Sequence, residues 1–314
     1  MESKKTVKIG TRGSRLALWQ AEWVKAELES KWPHITVELV KIKTTGDKIL
    51  DSPLAKIGGK GLFVKEIEEA LLSGRVDLAV HSMKDVPTVL PEGLHLKAIT
   101  RREDPRDVLV SKDGITLEEL PEGAHIGTSS LRRQCQLWHV RRDLRISTLR
   151  GNLDTRLRKL HEGLYDAIIL AGAGMKRLGF EEHITEYLPE GVMLPAIGQG
   201  ALGIETRVDD DFINGLVEFL DHRETSIGVR AERAFLERLE GGCQVPIAAH
   251  SKVGDRRLTL TGLVGTVDGS TIYKDSIEGS GDDAEGLGVE LAERLLSMGA
   301  DRILKELYGS EGAG

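Results

Sequence analysis

The feature that most constrains the fold is a pair of sequence echoes that occur twice in the same order. Gly-Thr followed within three residues by Ser stands at 10–14 and again at 127–130, each time between a predicted strand and a predicted helix. Further on, "GRVDLAVHSMK" (74–84) and "GLYDAIILAGAGMK" (163–176) share a glycine, an aspartate three residues later, an apolar strand and a downstream Met-Lys. Chance similarity between two βα units is the alternative, but two echoes in one order favour two related α/β lobes.

The C-terminal third follows a different pattern. Three β-rich stretches joined by Gly-Asp and Asp-Gly-Ser turns predict strands, and a helix is predicted near 282–308. The stretch 194–207 is typical of a connection into a strand that crosses back to the first lobe. The sequence therefore predicts an α/β protein with two lobes and a smaller α+β domain: domain 1 at 1–100 and 201–218, domain 2 at 106–194, and domain 3 at 223–314.

Composition places the chain among soluble globular proteins. It has 314 residues, of which 40% are hydrophobic and 30% charged. No apolar run is long enough to cross a bilayer, and the first ten residues carry no apolar signal core. Its two cysteines, Cys135 and Cys243, give no disulfide framework, which fits a reducing compartment. We expect a cytoplasmic protein.

Charge is unevenly distributed. Residues 131–160 hold eight arginines and one lysine against two aspartates, a net +7 in a chain whose formal charge is −7. A solvated basic helix face is the plain interpretation. Yet arginine outnumbers lysine, and its planar fork of donors fits carboxylate or phosphate, which a solvated face does not need. The excess of arginine favours anion recognition.

Both Gly-Thr turns are expected at the carboxyl ends of strands, where open α/β sheets bind ligands and helix N-termini attract anions. The hydroxyl residues of these turns suit a capping role, which alone would explain them. Cations at a helix N-terminus oppose the macrodipole, so the nearby arginines indicate a bound anion. The hydroxyl residues are Ser14, Thr128, Ser129 and Ser130, and the arginines are Arg12, Arg132 and Arg133.

Two loops could complete a site. "LAKIGGKGLF" (54–63) carries Lys56 and Lys60 among three glycines, lacks the spacing of a P-loop, and fits a mobile basic flap. "AVHSMKDVPT" (79–88) places polar groups directly after an apolar strand. Its Asp85 could merely cap the turn before Pro87. Among many guanidiniums, however, this carboxylate would stay ionised and could stabilise a developing cation.

Other side chains are expected to pack. Trp19 and Trp23 lie at helical spacing in "RLALWQAEWVKAELES" and are predicted to be core residues rather than a ligand platform. Cys135 lies on a predicted helix and is interpreted as a packing residue. Cys243 is different, because it follows two glycines in the turn "LEGGCQVP" (239–246), where packing does not explain it.

From about residue 6 to beyond 307 the chain carries, in this order, the motifs "GTRGSRLALWQ", "TTGD", "PLAKIGGKGLFVKEIE", "AVHSMKDVP", "REDPRDVLVS", "GTSSLRRQCQL", "LRGNLDTRLRKL", "YDAIILAGAGMKRLG", "LPAIGQGALGIE" and "LEGGCQVPIAAH". Together these long motifs resemble the porphobilinogen deaminase (hydroxymethylbilane synthase) family. The resemblance implies a transferase that joins four porphobilinogens head to tail, releasing ammonia each time, to give hydroxymethylbilane. It also implies three domains, the first two like the lobes of periplasmic anion-binding proteins.

The resemblance implies a role for each matching residue. Cys243 would carry a dipyrromethane cofactor through a thioether, and Asp85 would be catalytic, stabilising the azafulvene cation formed when the substrate loses ammonia. Each pyrrole carries an acetate and a propionate, which would account for the excess of arginine. Cofactor-binding positions would be Ser82, Lys84, Asp85, Thr128, Ser129, Ser130, Arg132 and Arg133; substrate-binding positions would be Arg12, Ser14, Arg150, Arg156, Arg177 and Gln199; Lys56 and Lys60 would lie on the flexible loop.

The implied partners are porphobilinogen and the growing linear polypyrrole, with no metal, membrane or nucleic acid, and the chain is expected to be a monomer. Two other classes compete with this interpretation. An anion-binding protein without chemistry would explain the turns and arginines but not Cys243. A nucleic-acid binder would use residues 131–160, but aromatic residues for base stacking are only 4% of the chain.

Overall fold

The computed structural model describes residues 5–48, 64–240 and 245–309. The chain divides into two compact units, which are called the first and the second unit below. The first unit comprises Met1–Asp51, Gly59–Glu103 and Ala201–Ser226, and the second comprises Ser52–Gly58, Asp104–Gly200 and Ile227–Gly314. The predicted boundaries between three domains remain a prediction.

The described strands are β1 (Lys5–Thr11), β2 (Ile35–Lys41), β3 (Leu78–Ser82), β4 (Leu94–Ile99), β5 (Asp107–Ser111), β6 (His125–Gly127), β7 (Arg145–Ser147), β8 (Ala167–Ala171), β9 (Glu186–Tyr187), β10 (Leu202–Arg207), β11 (Ile247–Gly254), β12 (Arg257–Gly265) and β13 (Ile272–Ser280). The described α-helices are α1 (Arg15–Lys31), α2 (Thr45–Lys48), α3 (Lys65–Leu72), α4 (Leu131–Val140), α5 (Leu153–His161), α6 (Gly172–Arg177), α7 (Asp211–Val217), α8 (Arg223–Arg238), α9 (Ala284–Leu295) and α10 (Asp301–Gly309).

The first unit contains a five-stranded mixed sheet in the order β2-β1-β3-β10-β4. Strand β1 runs parallel to β2 and β3, whereas β10 runs antiparallel to β3 and β4. Four of the five residues of β3 are buried, as expected for a central strand that is covered on both faces. The pairing of β10 confirms that the stretch 194–207 leads into a strand of the first lobe.

The sheet of the second unit repeats this pattern in the order β7-β6-β8-β5-β9. Strand β6 is parallel to β7 and β8, and β5 is antiparallel to β8 and β9. Each strand therefore has a counterpart of the same direction in the first sheet. The two lobes predicted from the sequence echoes are confirmed, because both echoes fall on matching strand–helix junctions.

The C-terminal sheet is an antiparallel meander, β11-β12-β13. Its core includes Phe235 from α8 and Leu291 from α9, both fully buried. A Cβ on Gly262 of β12 would lie 2.6 Å from the Phe235 ring, so glycine permits this close packing. The smaller α+β region predicted at the C-terminus is thereby confirmed, and the fold class is α/β with two lobes and this addition.

Two local expectations are wrong. The single helix predicted near 282–308 is divided into α9 and α10, because Gly299 between them has a φ of 120°. That left-handed backbone cannot continue an α-helix and is strained for any residue with a side chain. Trp19 is 38% exposed rather than a core residue, since the buried face of α1 is formed by Gln20, Ala21, Val24 and Leu28.

Candidate functional site

The first Gly-Thr turn joins β1 to α1 and carries Arg12 and Ser14. The Ser14 side chain accepts a hydrogen bond from the Ala17 backbone N–H at 3.3 Å, which confirms a capping role for this hydroxyl. Arg12 is half-buried at the carboxyl end of β1. This is the edge of an α/β sheet where ligands bind. Capping does not exclude the substrate-binding role implied for Ser14, which remains a prediction.

The chain that follows β3 presents Asp85. Strand β3 ends at Ser82, whose hydroxyl accepts a hydrogen bond from Gln20 Nε2 at 2.8 Å. A short 3₁₀ turn, Met83–Asp85, comes next, and it exposes the side chains of Lys84 and Asp85 while Met83 is buried. The carboxylate of Asp85 is therefore held by a short, anchored turn at the carboxyl end of a central strand.

In the second unit the turn Thr128–Ser130 precedes α4. Ser129 donates to the Leu149 backbone oxygen at 2.7 Å, and Thr128 Oγ1 accepts from the Ser130 backbone N–H at 3.2 Å. Ser130 occupies the N-cap position of α4, but its side chain makes no capping hydrogen bond. The hydroxyl of Ser130 is thus not explained by capping, in contrast to that of Ser14.

Arg132 and Arg133 meet a carboxylate that sequence reasoning missed. Arg132 Nη1 lies 2.7 Å from Asp107 Oδ2, and Arg133 Nη2 lies 2.7 Å from Oδ1. Arg133 also donates to the Ile169 carbonyl, and Arg132 to that of Leu194. Burial alone would raise the pKa of Asp107, but the two guanidinium charges outweigh it and hold that pKa well below its usual range. The negative charge of Asp107 therefore offsets the two arginines, whose positive charges at the N-terminus of α4 would otherwise oppose the helix macrodipole.

Gln199 belongs to the same cluster. It is 1% exposed, and its Nε2 donates to Asp107 Oδ1 at 3.0 Å and to the Pro105 carbonyl at 2.7 Å. Its Oε1 is buried and has no hydrogen-bond partner. A buried amide oxygen without a donor is costly. This oxygen is therefore suited to accept a hydrogen bond from a ligand N–H.

Arg150 is the least satisfied cation of the site. Its guanidinium makes no ion pair with any described residue, and its Nε is buried without a hydrogen-bond partner. Burial lowers the pKa of Arg150 from its ordinary value, which means that the charged form is poorly solvated. The residue follows β7 and precedes α5, so the side chain lies in the second strand–helix junction of this lobe. A ligand carboxylate would supply both the counter-ion and the hydrogen-bond acceptor that Arg150 lacks among the described residues.

The two other substrate-binding candidates have internal contacts. Arg156 Nε donates to the Gly151 carbonyl at 2.9 Å, and Arg177 Nη2 donates to the Gly200 carbonyl at 2.6 Å. Both arginines are half-buried. Gly151 directly follows Arg150, so the bond from Arg156 connects α5 to the backbone next to Arg150.

Three predicted residues, Cys243, Lys56 and Lys60, lie outside the described residues. The other cysteine, Cys135, is fully buried, and burial followed by the charge of Asp268 raises the pKa of its thiol to about 12. A thiol so protonated is a poor nucleophile at neutral pH. Its interpretation as a packing residue is confirmed.

Three polar contacts were not predicted from the sequence. Asp107 stands within the motif "REDPRDVLVS", but nothing local shows which arginines it meets. Gln20 appears in the sequence as one more polar residue of α1. His81 Nε2 lies 2.9 Å from Glu205 Oε2 on the neighbouring strand β10, and both side chains are buried. These contacts connect distant parts of the chain, so only a sheet order could have predicted them.

The arrangement in the second unit can bind an acidic ligand. Arg150 offers an unpaired guanidinium, Gln199 an unpaired acceptor, and the N-terminus of α4 an N-cap hydroxyl without an internal bond. The exposed carboxylate of Asp85 in the first unit can stabilise positive charge. Among the described residues no cluster of three or more His, Cys, Asp or Glu could hold a metal ion, and no described helix is long and apolar enough to cross a membrane.

Comparison with known protein families gives two matches that together cover most of the chain. The family described as "Porphobilinogen deaminase, dipyromethane cofactor binding domain" matches residues 7–215. The family described as "Porphobilinogen deaminase, C-terminal domain" matches residues 227–297. The first match contains Asp85 and every arginine discussed above.

Curated relatives include porphobilinogen deaminases of Geobacter sulfurreducens and Geobacter metallireducens. The first is 61% identical over 305 residues, which covers 97% of this chain and 96% of the relative. The second is 60% identical over 307 residues and covers 98% and 96%. Among solved structures, the periplasmic VFT2 domain of Bordetella pertussis BvgS aligns with a TM-score of 0.41 at 13% identity, over 68% of this chain and 85% of that one.

Proposed function

Because the chain belongs to the porphobilinogen deaminase family, a family of transferases of tetrapyrrole biosynthesis, we propose in detail how it performs that reaction. It joins four porphobilinogens head to tail, with loss of ammonia at each step, and releases hydroxymethylbilane. The observation that carries this proposal is the identity of 61% over 97% of the chain with a curated porphobilinogen deaminase. The unpaired cation and buried acceptor of the second unit support it, because the substrate is an acidic pyrrole.

The residues of the second unit fit a dipyrromethane cofactor. The cofactor is a dipyrrole with carboxylate side chains, and the cluster offers guanidinium donors, a helix N-terminus and the unpaired Oε1 of Gln199, which could accept from a pyrrole N–H. Arg132 and Thr128–Ser130 would hold the group, Arg133 is adjacent to Arg132 in the sequence, and the resemblance also assigns Ser82 and Lys84 to cofactor binding. When bound, it supplies the pyrrole carbon at which chain growth starts.

Covalent attachment of the cofactor is assigned to Cys243. A thiolate is an effective nucleophile toward the electrophilic carbon left when an aminomethylpyrrole loses ammonia. Residues 241 and 242 are both glycines, which carry no side chain that would crowd a bulky group attached to Cys243. Cys135 is unsuited to this role, because its buried thiol stays protonated.

Substrate carboxylates are assigned to Arg12, Ser14, Arg150, Arg156, Arg177 and Gln199. Arg150 supports this assignment best, because a guanidinium with a buried, unpaired Nε gains both a counter-ion and a hydrogen bond from a carboxylate. Arg156 and Arg177 are assigned here on the resemblance, and each also donates to a backbone oxygen, that of Gly151 and that of Gly200 respectively.

Asp85 is assigned the chemical role. Its exposed carboxylate would hydrogen-bond the pyrrole N–H and stabilise the positive charge that develops on the substrate as ammonia departs. The 3₁₀ turn Met83–Asp85 places the backbone of Asp85 directly after β3, at the end of the strand where the sheet presents functional groups. Lys56 and Lys60, which lie outside the described residues, are assigned to the flexible active-site loop that the resemblance implies. We further propose that the chain acts as a cytoplasmic monomer without metal or nucleic acid.

Intact mass spectrometry tests the attachment. The purified wild-type chain should carry the additional mass of one dipyrromethane, and Cys243→Ser should lose both that mass and the activity while remaining folded. Cys135→Ala is the matched control, since it removes the other thiol and should keep the cofactor. A full cofactor mass on Cys243→Ser would contradict the assignment. A wild-type chain without any such mass would favour an anion-binding protein over an enzyme.

A further inference from the structure

Asp107 occupies an unusual position between the two arginines assigned to the cofactor. It is the first residue of β5 and is fully buried. Its Oδ1 accepts from Arg133 Nε at 3.2 Å, from Arg133 Nη2 at 2.7 Å and from Gln199 Nε2 at 3.0 Å. Its Oδ2 lies 2.7 Å from Arg132 Nη1. One carboxylate thus contacts three residues that the proposed function assigns to ligand binding.

The two arginines are engaged unequally. Every nitrogen of Arg133 has an internal acceptor: Nε and Nη2 bond Asp107, and Nη1 bonds the Ile169 carbonyl at 2.9 Å. Arg132 uses only Nη1, which faces Asp107 and donates to the Leu194 carbonyl at 2.7 Å. Its Nε and Nη2 have no partner among the described residues, and neither is a buried unsatisfied atom. Arg132 therefore keeps two solvent-accessible nitrogens with which to bind a ligand.

The charges of the cluster support this division. Two adjacent guanidiniums that are each 6% exposed would repel one another without a buried counter-ion. Asp107 leaves the group with one net positive charge. All three nitrogens of Arg133 donate to Asp107 or to the Ile169 carbonyl, so Arg132 is the arginine of the pair that is available to an acidic ligand.

Gln199 is held from a second side as well. The preceding residue, Gly198, donates its backbone N–H to Glu232 Oε2 at 2.7 Å. Glu232 is fully buried on α8, and its Oε1 also accepts from the Ser251 backbone N–H of β11 at 2.9 Å. The segment that contacts Asp107 is thus tied to the C-terminal sheet, so Asp107 is fixed from several directions.

We propose that Asp107 is a positioning residue for cofactor binding: it immobilises Arg133 as an anchor and orients Arg132, whose free nitrogens receive a cofactor carboxylate. This inference rests on the proposed function. It distinguishes two neighbouring arginines that the motif "SSLRRQ" presents as equivalent. Neutralising Asp107 should therefore impair cofactor binding in folded protein, and removing the charge of Arg133 at the same time should reverse the effect.

The test compares the full-length variants Asp107→Asn and Asp107→Asn/Arg133→Gln with the wild type. Asp107→Asn should reduce cofactor occupancy per folded chain at least tenfold, measured by intact mass well below the melting temperature. The double variant restores a single net positive charge, on Arg132, and should recover occupancy to within about twofold of the wild type. Asp143→Asn is the control, since it breaks a partly exposed pair with Arg141 and should leave occupancy unchanged.

Two results would overturn the inference. Normal occupancy in folded Asp107→Asn, with only a lower melting temperature, would show that Asp107 is merely structural. A folded double variant that stays empty would show that restoring the net charge of the cluster does not restore cofactor binding, which contradicts the proposed reversal. If Asp107→Asn does not fold, the double variant alone decides in the same way. A wild-type chain without cofactor would instead contradict the proposed function, so the two failures are distinguishable.

Discussion

At the scale of the residue, Arg150 is an example of a side chain that is suited to binding a ligand but does not stabilise the folded chain. Its Nε is buried without a hydrogen-bond partner, and burial lowers the pKa of the guanidinium. An unpaired, poorly solvated cation contributes nothing favourable to the folded chain on its own. Such a residue is explained most simply by a ligand that is absent from the free protein. Function and stability should therefore respond in opposite directions to its removal.

Arg150→Gln should lower turnover while the melting temperature stays the same or rises. Losing a charge-assisted pair with a substrate carboxylate should weaken substrate binding by roughly 2–5 kcal/mol. Arg150 has no ion pair with a described residue to lose, which is why we expect the fold to remain as stable. The measurements are steady-state kinetics with porphobilinogen and a thermal melt. Arg158→Gln is the control, because that arginine is exposed and pairs with Glu162, the residue that follows α5. Unchanged kinetics for Arg150→Gln would remove this residue from the site.

At the scale of the element, α3 buries a titratable group against the sheet of the first unit. Glu68 is 8% exposed on this helix, near the buried pair of His81 and Glu205. Burial first, and then the charge of Glu205, raise the pKa of Glu68 from its ordinary value of 4.5 to about 7, although His81 acts in the opposite direction. The folded state therefore binds a proton more tightly than the unfolded state does.

This shift sets the sign of a pH dependence. The contribution of protonated Glu68 is fully present below pH 4.5 and is lost as the pH rises through about 7, by at most about 3 kcal/mol. Glu68→Gln should flatten this decline and increase the unfolding free energy at pH 8. Urea denaturation at pH 5 and pH 8 measures it. Glu38→Gln, which removes an exposed carboxylate on β2 of the same unit, should keep the wild-type slope. A wild-type slope in Glu68→Gln would assign the decline to other groups.

Strands and strand–helix junctions were predictable because their signals are local. The apolar run before "HSMK" and the Gly-Thr turns predict β3, β1 and β6 from neighbouring residues alone. The break at Gly299 was missed because a glycine within a helical pattern is often tolerated, and only its φ of 120° reveals the kink. The prediction for Trp19 was wrong because apolar spacing locates the hydrophobic face of α1 only approximately. Packing against the sheet determines which residues near the edge of that face are buried.

The sequence predicted where the candidate residues lie among the strands and helices, but it did not predict which of their side chains pair with one another. Ser14 and Arg150 stand at strand–helix junctions that sequence patterns locate. The partner of Arg132 and Arg133 comes from β5, which joins the sheet beside β8 rather than beside β6. Asp107 and Gln199 meet for the same reason, since a long-range contact leaves no periodic trace in the sequence.

At the scale of the whole molecule, the chemical role is assigned to the first unit, whereas most of the assigned arginines, though not Arg12, belong to the second. Asp85 belongs to the first unit, whereas Arg132, Arg150 and Gln199 belong to the second. The two lobes share one strand topology, yet they carry different side chains at equivalent junctions: a carboxylate follows β3, whereas "AGAGMK" follows the corresponding apolar run of β8. Replacing the carboxylate should therefore impair the reaction without abolishing the capacity to bind acidic ligands.

Asp85→Asn tests this separation. Asparagine keeps the shape of the side chain and caps a turn about as well as aspartate, so a residue that only capped the turn before Pro87 would tolerate the change. If the negative charge stabilises the cation formed as ammonia leaves, single-turnover ammonia release should fall about a hundred- to a thousand-fold. Porphobilinogen binding should remain within a few-fold of the wild type, because the arginines of the second unit are unchanged.

The matched control for Asp85→Asn is Asp209→Asn, which removes an exposed carboxylate of the same unit and should leave ammonia release unaffected. Thermal melts of both variants establish that they are folded. Rapid-quench measurement of ammonia and equilibrium binding of porphobilinogen then separate the chemical step from recognition. Near-normal ammonia release from folded Asp85→Asn would transfer the chemical role to another residue. A loss of binding as large as the loss of rate would instead make Asp85 a recognition residue, since a purely chemical role lowers the rate after substrate is bound.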